Sequence, residues 1–551
     1  MSDRDLSFWG WGYAEKFPDE DERRELKDRL ETMLGFPERE LRDPPALDEV
    51  SIPDSTVSVP EDLAGVCSTA IEDRIRHAYG SGYRDIVRGF RGEFESAPDV
   101  VAEPETEDEV RALLDWATEN RVAVVPYGGG TSVVAGVECD PDGDDAGYAG
   151  VCSLDLRAMD RVLEVDEHSR TARIQAGATG PQINDQLREH GLQLRHYPQS
   201  YEFSTLGGWI ATRAGGHFAT VYTHIDDFVE SVRMLTPSGE FESRRLPASG
   251  AGPDPNRLVL GSEGTLGAIT ESWVRVQPRP SHRAKASVRF ADFDAAVDAT
   301  REIVQARLYP ANCRLLDSRE AMMNEVAMDG SHVLVLGFES VDHPVDDELD
   351  RAIEIAEARG GTVSSGPRYE GPHRDDAEAG GSDGGDEDDE NDDAGEWRSA
   401  FFEAPYKFNA LVSMGVIVDT FESAVTWDQF DRLHAEITEQ VTATMQEECG
   451  AGFLSCRFTH VYPDGPAPYY TLLAPADVGR ELEQWREIKA TASDVIEEYG
   501  GTITHHHAVG RTHREWYEAE SPDEFRDALR AAKERLDPEG IMNPGALLES
   551  E

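Results

Sequence analysis

Pro126-Tyr127-Gly128-Gly129-Gly130-Thr131-Ser132 is the stretch on which the reading of this chain turns. It follows Val122-Ala123-Val124-Val125, an apolar run that predicts a buried strand. Glycine has no Cβ, so three in a row let the backbone take positive φ and approach a ligand closely. Successive N–H groups in such a turn form an anion-binding nest suited to a pyrophosphate. The spacing is neither Gly-x-Gly-x-x-Gly nor a Walker loop, since no lysine follows. An ordinary glycine-rich turn is the alternative for this stretch taken alone.

Upstream, Thr106-Glu107-Asp108-Glu109-Val110 predicts a helix with acidic residues in its first turn, where they complement the macrodipole. Downstream, strand-like pieces recur at Val151-Cys152-Ser153-Leu154 and at 171–176, followed by a helix over 181–190. Two further glycine-bearing stretches lie within 150 residues of the first. One is Pro198-Gln199-Ser200-Tyr201-Glu202-Phe203-Ser204-Thr205-Leu206-Gly207-Gly208-Trp209, continuing to Ala211-Thr212-Arg213-Ala214-Gly215-Gly216. The other is Gly261-Ser262-Glu263-Gly264-Thr265-Leu266-Gly267-Ala268-Ile269-Thr270-Glu271. Each alone reads as a tight loop. Three together, rich in small and hydroxylated residues, suit close backbone contact with a flat polar ligand.

The chain has 551 residues, enough for two or three domains. Its 109 acidic against 52 basic residues give a formal net charge of −57. Such a surface repels the phosphates of nucleic acid and of an anionic membrane. The acid excess is spread along the chain, which reads as adaptation to high salt, where ions screen self-repulsion. The charged N-terminus leads into Phe8-Trp9-Gly10-Trp11 and not into a signal-peptide core, and no run of about 18 apolar residues exists. Six scattered cysteines form no Cys-x-x-Cys, so neither a disulfide framework nor a zinc site is expected, and a cytoplasmic location fits.

Residues 1–92 read as a helical, loop-rich lead-in broken by prolines. Residues 93–280 carry the glycine loops, 281–480 mix helices and strands as a second domain, and 481–551 form a C-terminal segment. Within the second domain, 371–396 holds twelve Asp/Glu and one Arg and is expected to be a disordered acidic insertion. Helices are expected over 490–499 and 522–536, with a strand over 502–507 between them. On that strand His505 and His507 would share one face and His506 the other. Three readings of the triplet stand: acid–base work, a metal site, or structural histidines, with no Cys, Asp or Glu beside them in sequence.

The three glycine-bearing stretches together resemble the FAD-binding domain of the vanillyl-alcohol oxidase/PCMH flavoproteins, over residues 94–551. The resemblance implies an α+β fold: a two-subdomain PCMH-type FAD-binding domain plus an α/β cap with an antiparallel sheet, to which 481–551 returns. It implies FAD, with pyrophosphate on 126–132, flavin and ribityl contacts from 198–204 and 211–214, and a third loop at 263–269. No histidine stands in the first loop at Gly130-Thr131-Ser132, so FAD is expected to be non-covalent.

Within that family the chain is similar to the alkylglycerone-phosphate synthase branch, through 202–209, Arg314-Leu315-Leu316-Asp317, Cys456-Arg457 followed by Tyr469, and His505-His506-His507-Ala508-Val509-Gly510. The branch exchanges acyl for alkyl on a dihydroxyacetone-phosphate ester through a flavin adduct. Tyr469, His505, His506, His507 and Arg314 are the implied catalytic group, although Tyr469 beside Tyr470 also reads as plain core aromatics. In the branch an arginine binds the substrate phosphate; Phe408 stands at its place, leaving Lys407 as a point charge for the substrate. The expected partner is a small or lipid-like substrate, with a homodimer a weaker expectation. The alternative is an FAD-dependent 2-hydroxy-acid dehydrogenase of the D-lactate or glycolate type. A non-catalytic scaffold is the third reading.

Overall fold

The computed structural model describes residues 6–140, 147–371 and 405–549. The acidic insertion lies, but for Gly371, outside the described residues.

The apolar run forms Val122–Tyr127, buried at every position but Pro126. It pairs in parallel with Gly150–Asp155, which also pairs in parallel with Val100–Ala102. Strands covered on both faces read as continuous apolar runs. The helix Glu107–Asn120 connects the outer pair. Its start is a capping box: the Thr106 hydroxyl accepts from Glu109 N–H, and the Glu109 carboxylate accepts from Thr106 N–H at 3.0 Å. Val110, Leu113, Leu114 and Ala117 bury its inner face. Cys67–Ser68 extends the sheet at one edge, antiparallel to Val100–Ala102.

A second, antiparallel sheet runs Val162–Asp166, Thr171–Gln175, Ala268–Arg275, Val229–Thr236, Gly239–Glu242. The end of the chain is built into both sheets. Val124 N–H donates to Ile541 and Asn543 N–H to Val124, so 541–543 lies along Val122–Tyr127. Leu529, Leu547 and Leu548 fill the core of the second sheet.

The cap is one antiparallel sheet of seven strands: Thr362–Glu370, His282–Phe290, His332–Ser340, Asn312–Leu316, Phe453–Val461, Pro466–Pro475 and Val416–Glu422. Side chains alternate between its faces. Cys313, Leu315, Cys456, Tyr470, Leu472 and Phe421 join the apolar core under the helices Phe293–Gln305, Asp346–Ala358, Trp427–Cys449 and Glu481–Glu498. The residues between them are polar and buried: Arg314, Arg457, Tyr469, Thr471 and Glu422. A buried polar face on a half-apolar sheet is costly unless its groups are paired, and this face turns toward the glycine loops.

Two local expectations are corrected. The last cap helix is Glu481–Glu498, longer than 490–499 because its buried stripe begins at Glu481 and continues through Gln484, Trp485 and Ile488. No strand forms over 502–507; the reason lies in the site. No described helix is long and apolar enough to cross a membrane.

Candidate active site

The three glycine loops interlock. A Cβ on Gly129 would sit 2.1 Å from the Phe203 carbonyl oxygen, and one on Gly128 2.4 Å from Thr205 Oγ1, so the first loop lies directly on the second. Gly264 at φ +75 backs against Pro126, and Glu263 N–H donates to the Ala211 carbonyl at 2.8 Å. The second loop is braced from within. Ser204 Oγ accepts from Trp209 Nε1 at 2.7 Å, and Tyr201 Oη accepts from Asn184 Nδ2 at 2.7 Å. Phe203 packs on Trp11 and Tyr13, and Glu202 pairs with Lys16, so part of the lead-in covers this loop. Arg213 ends the helix Leu206–Thr212 in the left-handed region and pairs with Asp226.

The first loop fits a pyrophosphate. Gly130 takes φ +66, and the N–H groups of Gly129, Gly130 and Thr131 make no hydrogen bond to the described residues. Donors left over in a half-buried turn are what an anion would satisfy. Ser262 Oγ, buried in the third loop, is also without a partner among the described residues. Ser132 stays within the turn, its Oγ accepting from Gly136 N–H at 2.9 Å.

Glu263 ties the third loop to the residues after the histidines. Its carboxylate accepts from Val509 N–H at 2.9 Å and Gly510 N–H at 2.7 Å. Burial pushes this carboxyl up to about 7, against the two N–H bonds that favour its charge. Further along the third loop, Thr265 offers its carbonyl to Lys533 Nζ, while Leu266, Ala268 and Ile269 are buried in the cores below.

The histidines are organised by Glu422, 83 residues away from His505. Oε2 accepts from His505 N–H at 2.8 Å; Oε1 accepts from His506 and His507 N–H at 3.0 Å and from Thr504 Oγ1 at 2.8 Å. Three consecutive N–H groups aimed at one carboxylate cannot belong to a strand, in which successive N–H groups point to opposite sides. This is why 502–507 is a bend, and why the expected alternation fails. All three Nδ1 atoms lie within 3.4–4.0 Å of Glu422. An acid does sit beside the histidines, supplied by the edge of the cap sheet.

Burial would raise Glu422, but His506, His507 and His505 hold it well below the carboxylate range. Burial first, and neighbouring imidazoles second, hold His505 well below its ordinary value; burial does the same for His507.

Around the triplet stand groups that no motif announced. His224 Nε2 bonds the His505 carbonyl at 2.9 Å, His460 Nε2 the Gly216 carbonyl at 2.9 Å, and Tyr462 Oη the His505 Nε2 at 2.7 Å. A Cβ on Gly215 would meet His506 Cβ at 3.0 Å, so the continuation of the second loop lies against the cluster. His460, His505 and His506 bring one ring nitrogen each within 4.8 Å of one another.

Tyr469 is buried on the polar cap face. Its ring stacks on His506 at 6.0 Å and meets His507 edge-on at 5.4 Å, with the Arg457 guanidinium 3.9 Å from its centroid. Strand register places Arg457 and Glu422 directly opposite Tyr469 on its two neighbours. Burial raises the Tyr469 pKa and Arg457 opposes it. Arg457 is paired with the fully buried Glu320. Arg314 shares this face and donates to the His217 carbonyl at 2.9 Å; burial and Arg457 both press its pKa down. The site therefore unites Tyr469, the three histidines and Arg314 on one face, between cap and glycine loops. Lys407 is different: it is exposed on the helix at 405–413, while Phe408 packs against the cap core.

Residues 98–243 match the family described as FAD binding domain, and residues 279–547 that described as FAD linked oxidases, C-terminal domain. An alkyldihydroxyacetonephosphate synthase of Caenorhabditis elegans is 30% identical over 511 residues, 87% of this chain and 81% of that protein. The chain belongs to the FAD-linked oxidase family that includes this synthase. It is an FAD-dependent enzyme. Within the family it is also similar to glycolate oxidase subunit GlcD of Bacillus subtilis, 27% identical over 83% of this chain and 90% of that protein. A solved alkyldihydroxyacetonephosphate synthase shares the fold over 98% of both chains, with TM-score 0.77 at 23% identity.

Sequence motifs led to Tyr469, Arg314 and the triplet. They did not lead to Glu422, His460, His224 or Tyr462, each of which reaches the site from another element. Nothing in the local sequence signals them, because Glu422 is held by backbone N–H groups that any residue would supply.

Proposed function

We propose that the protein exchanges the acyl group of an acyl-dihydroxyacetone-phosphate for a fatty alkyl group, with no net redox change, giving the alkyl-dihydroxyacetone-phosphate for which its synthase relatives are named. The observation that carries this is Tyr469 held between Arg457 and the paired rings of His506 and His507. Tyr469 removes a proton from the carbon that bears the ester, with the Arg457 cation favouring its phenolate. Bound FAD, held non-covalently by the three loops, supplies an electron sink for that carbon. His505–His507 carry protons to and from the site, and Glu422 fixes their orientation. Arg314 offers positive charge for an anionic group of the substrate, which would offset the cost of burying its guanidinium. Lys407, being exposed, takes no part in this reading.

The second reading, oxidation of a 2-hydroxy acid, is favoured by Phe408: an apolar residue stands where the synthase branch has its phosphate arginine, while Arg314 would suit a carboxylate. The test is purified yellow protein in high salt. Incorporation of labelled fatty alcohol into acyl-dihydroxyacetone-phosphate, lost in Tyr469→Phe, supports the synthase. Anaerobic bleaching of the flavin by D-lactate or glycolate, without incorporation, overturns it.

A further inference from the structure

The histidine cluster is nearly closed to solvent, yet a proton taken from substrate must be held there or exchanged. His505 Nδ1 lies 3.3 Å from His506 Nδ1, and His505 Nε2 lies 2.7 Å from Tyr462 Oη. Tyr462 in turn lines a surface cavity of about 640 Å³, bordered by Asp464, Thr502, Trp516 and Glu520. His506 stacks on Tyr469, which places the His506–His505 pair between Tyr469 and Tyr462. The side chains of His505 and His506 are 6% and 18% exposed.

We propose that Tyr462 is a proton relay, joining His506 and His505 to water in the cavity. This rests on the synthase reading above. A proton arriving at His506 Nε2 releases the Nδ1 proton of His506 to His505 Nδ1. The Nε2 proton of His505 passes to Tyr462 Oη, and the Tyr462 hydroxyl proton passes to cavity water. One proton enters and one leaves, each imidazole exchanges tautomers, and no charge is left in the interior. A hydroxyl serves this purpose without ionising, which matters because burial pushes Tyr462 up to about 12 and holds His505 neutral. The groups facing His505 are His224, His460, His507 and Glu422; the hydroxyl of Thr223, 3.2 Å from Tyr462 Oη, competes for its proton. Tyr462 touches neither substrate nor flavin in this scheme and acts through His505.

The test uses holoenzyme, fatty alcohol, and acyl-dihydroxyacetone-phosphate with both hydrogens of the ester-bearing carbon replaced by deuterium, washout being loss of the one deuteron that Tyr469 removes, read by mass spectrometry of the product. Wild type in ordinary water should form product with the label washed out. In Tyr462→Phe, washout per turnover should fall at least about ten-fold, the scale of losing one positioned proton carrier. Tyr462→Ala should restore washout, since cavity water would then reach His505 directly. A structural role would make alanine worse than phenylalanine. Equal washout in wild type and Tyr462→Phe overturns the relay, as does wild-type transfer with label retained; both leave the synthase reading intact. Wild type that neither transfers nor exchanges overturns both.

Discussion

Glu422→Gln changes one oxygen to an NH2 and should disable the site. The carboxylate is 1% exposed and accepts four hydrogen bonds. An amide oxygen at the Oε1 position keeps three of them, but as neutral bonds, each weaker by about 1 kcal/mol than bonds to a charge. The NH2 at the Oε2 position faces His505 N–H donor to donor, which leaves that buried N–H unpaired at about 1–3 kcal/mol. His506 Nδ1, 3.4 Å away, carries a hydrogen in the resting relay, so the amide gains no bond there, and only local relaxation offsets part of the loss. The total is roughly 3–5 kcal/mol, the range found for breaking a buried charged contact. Melting followed by flavin release should shift down on the order of 10 °C. Turnover should drop by about 100-fold, as displacement of catalytic groups by about 1 Å predicts.

The pH dependence has a definite sign. The folded pKa of Glu422 lies well below its unfolded value of 4.5. Its stabilisation is therefore full above about 4.5 and is lost as pH falls through the folded value. The gap between wild type and Glu422→Gln should be constant above that point and narrow in acid. A variant that melts within 2 °C of wild type (roughly 1 kcal/mol) and turns over normally would refute the central role given to this carboxylate.

Gly129→Ala should yield colourless, folded protein, because its Cβ would press on the Phe203 backbone, whereas Gly65→Ala, with no atom within 4 Å, should bind flavin normally; flavin absorbance and circular dichroism decide it. Lys533→Met removes Nζ bonds to Thr265, Met542 and Asp537 and leaves the buried Asp537 carboxylate with two N–H bonds but no cation, so flavin affinity should fall and melting drop by about 3–5 kcal/mol in equivalent stability; unchanged flavin retention would refute the link between loop and C-terminus. Burial lowers His513 to about 4 and His434 to about 4, below the unfolded 6.5. Each contribution is full above about 6.5 and shrinks as pH falls toward 4, by about 3 kcal/mol per buried ring. Denaturant midpoints should decline across this window, and His513→Phe should flatten the decline.

What the sequence revealed and what it hid follow one physical division. The glycine loops were legible because their chemistry is local: positive φ at Gly130 and Gly264, and contacts no Cβ would survive, demand glycine at those positions whatever surrounds them. The polar cap face was half legible. Arg457 and Tyr469 carry a recognisable spacing, but their opposition across two strands is a matter of register, which spacing does not encode. Glu422 was not legible, because the end of an edge strand and a bend 83 residues later have no sequence relation until the cap closes. The failed strand at 502–507 belongs to the same case. Read alone, Thr502-Ile503-Thr504 has the β-branched residues of a strand, and local propensity favours one. A single buried carboxylate taking three successive N–H groups outweighs that preference, since each such bond contributes about 1.5–3 kcal/mol while strand propensities span about 1 kcal/mol. The bend is thus imposed by the acid that orients the histidines, so the departure from local expectation and the assembly of the site have one cause.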